Sequence, residues 1–413
     1  MTALTARGSA AARTSSAVIV TLLLATSCAQ SGSDGPSPRA HASSAAPHGY
    51  VEGAEEAPEQ QSRLLLNDPV SGDSRVLDLI TGTVHSTASV KGTVRLGTDG
   101  RFGHFHTARS THLIDSGAWT VDHGDHVHYY RAAIRELGDI PGGSEARMHG
   151  DSAVTAVTDG EGRALLYDRD ELEDGRIGSP RTLPGTHAGP VLPYAEHLLT
   201  FTERDGTTRL AVLDREGDPV ESPRAACDRP RGAAVTGRGA VLGCADGVLL
   251  VGERDGAFTA EKISYGEDVP AAQRAVGFRQ RPGSDTLTAP AGTDAVWVLD
   301  VTERTWTRVE TGPVVAVGTA GEGSPLLVLE TDGALHGYDI GSGEEVARTE
   351  PLLTGEHRAG TDGGPVIEVD RNRSYLNDPR GRRVYEIDHD DDLRVARTFD
   401  VDIEPHLMAE TGW

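Results

Sequence analysis

The sequence predicts an all-β fold, and three observations predict it. First, a short strand-like run closing on an acidic residue recurs along the chain. It appears as Val76-Leu77-Asp78, Leu113-Ile114-Asp115, Leu166-Tyr167-Asp168, Val212-Leu213-Asp214, Val298-Leu299-Asp300, Gly337-Tyr338-Asp339 and Glu386-Ile387-Asp388, with a degenerate copy at Leu250-Val251-Gly252. Neighbouring intact copies lie 37 to 53 residues apart, and the degenerate copy splits the 86 residues between Asp214 and Asp300. That is the period of a four-stranded propeller blade. Second, the runs are short and rich in Val, Leu, Thr and Tyr, with Asp-Gly, Glu-Gly and Gly-Ser between them, and sustained helical periodicity is absent. Third, the two ends match: Arg63-Leu64-Leu65-Leu66-Asn67-Asp68-Pro69 parallels Arg373-Ser374-Tyr375-Leu376-Asn377-Asp378-Pro379. The first of these copies lacks an inner strand, and the chain runs on past its last full unit to Leu407-Met408-Ala409-Glu410-Thr411. The expectation is a single β-propeller of four-stranded blades, closed by its N- and C-terminal strands. It has eight blades by repeat count, or seven if the degenerate copy is misread.

In chain order, residues 1–28 read as an export signal. Arg7 and Arg13 precede the apolar run from Ala17 to Ala25, too short for a permanent membrane helix. Ala25-Thr26-Ser27-Cys28 resembles a bacterial lipoprotein processing site, with Leu24 one place early, so Cys28 is the expected lipidation point; plain secretion is the alternative. Residues 29–61, rich in Ser, Ala, Gly, Pro and Glu, read as a flexible tether in which His41 and His48 are incidental. Residues 62–413 form the propeller domain. A formal charge of −24 argues against binding nucleic acid or an anionic membrane, leaving the lipid as the only expected membrane attachment.

The longest interval between neighbouring intact copies, Asp115 to Asp168, carries Asp122-His123-Gly124-Asp125-His126-Val127-His128, so this cluster reads as an insertion on a blade. His126 and His128 leave one face of an extended strand. His123 precedes them across Gly124, which tolerates conformations other residues do not. Imidazole is the commonest zinc donor, and the stretch offers two or three ligands to one Zn²⁺, with Asp122 or Asp125 as a further ligand or as acceptor for a ring N–H. The plainer reading is a solvated polar loop. Copper and nickel accept the same donors.

Candidate inner strands begin near Met148-His149-Gly150, Thr186-His187-Ala188-Gly189 and Pro230-Arg231-Gly232, placing His149, His187 and Arg231 at equivalent positions. Equivalent positions converge on one end of a propeller channel, so His149 and His187 are expected to face each other and the histidine loop. His104 and His106 are secondary candidates, read equally well as surface alternation. Cys227 and Cys244 remain after Cys28; in an exported chain they most simply pair, with a Cys₂ metal site as the lesser alternative.

Together, the histidine loop, the His149-Gly150 and His187-x-Gly189 strand starts, the Cys227/Cys244 segment ending Gly243-Cys244-Ala245-Asp246-Gly247, and the end from Arg394 to Gly412 resemble the AztD-type zinc metallochaperones. The resemblance covers roughly residues 62–413. It implies an extracytoplasmic β-propeller that binds zinc and passes it to the substrate-binding protein of a zinc ABC importer. One departure stands out: the family tends to carry a His-Gly pair after the first paired cysteine, where this chain has Arg231-Gly232. A guanidinium cannot ligate zinc.

The expected function is therefore that of a monomeric, lipid-anchored, non-enzymatic zinc carrier. No nucleophile–base arrangement or phosphate loop stands out. Two other classes remain open on sequence: a metal-dependent propeller hydrolase or lyase, with Asp151 or Asp125 as base, and a metal-free binding propeller.

Overall fold

The computed structural model describes residues 51–124, 126–266, 268–355, 357–358 and 364–413. The export signal, Cys28, the tether as far as residue 50 with His41 and His48, and Asp125 lie outside the described residues.

Among the described residues, eight antiparallel sheets follow one another along the chain, and a ninth, small sheet branches from the second. The first blade has the order Leu407–Thr411, Arg63–Asn67, Ser74–Asp78, Val84–Ser86. Its innermost strand comes from the C-terminus, with Leu65 opposite Ala409. The N- and C-terminal strands thus pair, which is compatible with the closure expected from the matching ends. It leaves no open edge on Arg63–Asn67, which is buried throughout.

Packing shows the same ring. Side chains alternate along a strand, so each blade buries one face against the preceding blade and the other against the next. Leu65, Val76, Phe105 and Ile114 join blades one and two. Leu64, Leu66 and Leu77 face the other way, onto Tyr375, Val384 and Phe399 of blade eight. Each remaining neighbouring pair shares its own cluster, as with Val241, Leu250, Leu287 and Leu299 between blades five and six. These layers are dominated by branched aliphatic residues, each fully buried side chain contributing about 1.5–3 kcal/mol.

The recurring acidic residue has a structural cause. In several blades it stands at the end of the third strand, and its carboxylate accepts backbone N–H groups of the turn that follows. Asp78 accepts from Thr81 at 2.9 Å, Asp214 from Gly217 at 2.9 Å, Asp300 from Glu303 at 2.9 Å and Asp339 from Ser342 at 2.7 Å. Asp168 does the same for Asp170 and caps the short helix Arg169–Glu173.

Among the described residues, blades four and six have three regular strands each rather than the expected four. Isolated bridges replace the missing strands: Arg209 to Ala226 and Leu213 to Pro219 in blade four, Arg279 to Thr288 in blade six. Pro219 and Pro223 flank the first of these edges, and proline cannot donate to a ladder. Cys227 and Cys244 form a disulfide with a Cα–Cα distance of 5.2 Å, inside the cluster between blades four and five.

Part of the stretch read as a tether is ordered. Glu55–Ala57 is a strand, and it pairs with Val127–Arg131.

Candidate metal centre

The histidine cluster is an insertion on a blade, as its spacing suggested. Strands Ala118–Asp122 and Val127–Arg131 form a hairpin between the third and fourth strands of blade two, Ser110–Asp115 and Arg135–Pro141. Its root is rigid. Trp119 stacks on Tyr130 at 5.4 Å, and the Arg101 guanidinium lies 3.8 Å over the Trp119 ring. Arg101 is almost fully buried and bridges Asp115 at 3.0 Å; Arg135 reaches the same carboxylate at 2.6 Å. Thr120 Oγ1 donates to the Gly412 carbonyl at 2.7 Å, tying the hairpin to the closing strand's end.

The tip carries the three histidines. Gly124 has φ +85°, a conformation that suits glycine, and its N–H donates to Asp122 Oδ1 at 2.7 Å. The His123 N–H donates to the His126 carbonyl at 3.0 Å. This turn folds His123 back over the strand bearing His126 and His128. The ring centroids lie 4.8 Å (123 to 126), 5.3 Å (123 to 128) and 4.9 Å (126 to 128) apart. One nitrogen from each ring lies within 4.8 Å of the others. Three tetrahedral ligands at about 2.0–2.1 Å from one zinc require donors roughly 3.3 Å apart, so small rotations of the rings close the set.

A fourth residue belongs to this group and was not visible in the sequence. Glu56, on the N-terminal strand, places Oε1 2.7 Å from His128 Nδ1. Arg131 bridges Glu55 at 2.9 Å on the same strand. A carboxylate holding one ring nitrogen leaves the other as metal donor, and raises its basicity. Two adjacent glutamates in a polar segment carried no periodic signal that could have revealed the pairing.

The other candidates lie elsewhere. His149 sits on the innermost strand of blade three, Arg147–Gly150. His104 and His106 lie on the second strand of blade two, where they are buried rather than alternating on a surface. His106 shares a hydrogen bond with Thr111 Oγ1 at 2.8 Å, and His104 Nε2 stands 3.7 Å from Asp99, a carboxylate also bound by Arg169. Burial, with the charges of Arg147, His104 and Arg95, pushes the His149 imidazole down to about 4. Burial and Arg95 lower His106 strongly as well. The His149 and His106 rings are neutral at pH 7 and able to donate lone pairs, yet the guanidiniums of Arg95 and Arg147 stand beside them.

His187 is buried against Thr200 Oγ1 at 3.2 Å and lines a cavity of about 580 Å³ together with Arg147 and Arg231. Among the described residues, the only three-donor group that includes a predicted site residue is His123, His126 and His128. His149 and His187 do not join it, because the hairpin leaves its blade next to the outer strand while the inner strands face the axis. Asp125 lies outside the described residues, and Asp122 is engaged in the turn.

No family model matches the chain. The zinc chaperone AztD of Citrobacter koseri (strain ATCC BAA-895 / CDC 4225-83 / SGSC4696) is 24% identical over 347 residues, covering 79% of this chain and 81% of that protein. The crystal structure of Citrobacter koseri AztD aligns with a TM-score of 0.70 at 20% identity, covering 86% of this chain and 98% of that one. Its apo form aligns at 0.69 and 18%. The chain is thus a β-propeller that resembles the AztD-type zinc metallochaperones in sequence and in fold.

Proposed function

We propose that this protein is an extracytoplasmic zinc metallochaperone that loads Zn²⁺ at the hairpin tip and hands it to the substrate-binding protein of a zinc ABC importer. The carrying observation is the convergence of His123, His126 and His128 at an exposed tip above a rigid root. Three imidazoles leave a fourth position for Asp125, for water or for an incoming donor of the acceptor protein. Exposure allows ligands to be exchanged one at a time, so zinc need not pass through a free state. The buried root keeps the three rings near one another while the tip opens. The remaining candidate histidines, His149, His187, His104 and His106, are a second holding place in this reading, weakened by Arg147 and Arg231.

The carrier acts without catalysis and as a monomer, tethered through lipid on Cys28. No helix among the described residues is long and apolar enough to cross a membrane. Similarity to a protein named as a zinc chaperone supports the metal and the carrier role.

Elemental analysis of protein purified without added metal tests the reading. Zinc content is expected to fall by about one equivalent per chain in a His126→Ala/His128→Ala variant, and the loaded protein should transfer zinc to the importer's binding protein in a competition assay. Zinc uptake identical in the double variant would overturn the assignment.

A further inference from the structure

A second group of metal-binding side chains lies on blade seven, outside the hairpin and the channel. His336, on the third strand Leu335–Tyr338, is only 3% exposed, and Glu330, at the end of the second strand Leu326–Glu330, is 7% exposed. His336 Nε2 is 3.2 Å from Asp332 Oδ2 and 3.6 Å from Glu330 Oε2. The three side chains present donor atoms within 4.8 Å of one another.

The surroundings are those of a built site. Glu330 Oε1 is occupied: it accepts from Tyr338 Oη at 2.5 Å and from the Gly312 N–H at 2.9 Å. That leaves Oε2 toward His336. A side chain at Gly312 would collide with this oxygen, so the glycine makes room for the carboxylate. The other ring nitrogen, His336 Nδ1, is held by Glu345 Oε2 at 3.1 Å. A carboxylate on Nδ1 that leaves Nε2 for a cation is the usual support for a metal-bound histidine. Three carboxylates surround one imidazole, and among the described residues Arg348, 3.6 Å from Glu345, is the guanidinium paired with them. Even with the ring protonated the group keeps negative charge, which a divalent cation would neutralise.

We propose that His336 Nε2, Glu330 Oε2 and Asp332 bind a divalent transition-metal ion, with water completing the shell. One imidazole and two carboxylates suit Zn²⁺ or Mn²⁺. The ligands come from adjacent strands and the tight turn joining them, so this site holds its ion more rigidly than the hairpin does. It is independent of the carrier reading.

The test is a chelator-competition titration of the full protein with Zn²⁺, and separately with Mn²⁺, in a His126→Ala/His128→Ala background. One bound equivalent is expected to persist there. Adding Asp332→Asn, at a half-exposed turn position whose replacement keeps the fold, should weaken it at least about tenfold, and His336→Ala should abolish it. Circular dichroism and melting of Asp332→Asn should match the parent. Retention unaffected by Asp332→Asn and Glu330→Gln would overturn the proposal, as would no bound metal in the hairpin-deficient background. A failure of the carrier reading would instead show as wild-type metal content unchanged by the hairpin mutations.

Discussion

Glu56 Oε1 lies 2.7 Å from His128 Nδ1, joining two residues 72 positions apart. Their strands are paired, with Glu56 opposite Tyr130, so backbone register sets the contact. The carboxylate fixes which ring nitrogen of His128 is left for a metal. Glu56→Gln should therefore weaken zinc binding by about 10–100-fold without changing the melting temperature of the zinc-free protein. Competition with a chromophoric chelator at pH 7.5 measures it; unchanged affinity would show that the pair is only a surface contact.

Acid should destabilise the zinc-free protein through the channel histidines. Burial, helped by Arg147, lowers the folded His149 value to about 4, below the value near 6.5 expected of an unfolded chain. The unfolded state then binds the extra proton first, so stability held above pH 6.5 is lost as pH falls toward 4. The His149 share is up to about 2–3 kcal/mol. Melting curves from pH 7.5 to 4 should fall less steeply for His149→Gln than for the parent. Parallel curves would mean that His149 is solvated.

Glu410 acts in the opposite sense. It is 2% exposed on the closing strand, its Oε1 has no hydrogen-bond partner, and burial with the nearby charges of Asp370 and Glu368 raises its carboxyl well above the ordinary range. A raised value favours the folded state at low pH, and that contribution disappears as pH rises through the folded value. Glu410→Gln is expected to stabilise the protein at pH 7.5 by about 1–3 kcal/mol, with the gain shrinking below about pH 4.5. A lower melting temperature for the variant at pH 7.5 would contradict this.

The Cys227–Cys244 disulfide sits in the apolar layer between blades four and five, with both cysteines buried. Reduction, or a Cys227→Ser/Cys244→Ser variant, should lower stability by about 2–4 kcal/mol in urea unfolding. Zinc content should stay at the parent level, because the hairpin roots on blade two. Zinc lost together with the disulfide would mean that the cysteines carry metal.

Much of the architecture was legible because propeller repeats are local. Asp78, Asp214, Asp300 and Asp339 recur because a similar turn is capped in these four blades, and a capping residue is visible within a few positions of its donors. The matching ends at Arg63 and Arg373 announced a shared blade type, and Leu407–Thr411 completed the one that was short of a strand. Blades four and six are thinner than the repeat implied, since an isolated bridge leaves the same spacing as a strand.

The site divides along the same line. Sequence determined that three imidazoles stand within six residues, because an HxxHxH run around a glycine turn is a local fact. Only tertiary structure decided what those rings meet. Pairing Glu55–Ala57 with Val127–Arg131 brought Glu56 to His128, and rooting the hairpin beside an outer strand kept His149 and His187 out of the group. It also set Glu330, Asp332 and His336 around one point. Composition lists the donors; register and the twist of each blade decide which of them share a point in space, because that follows from contacts between strands.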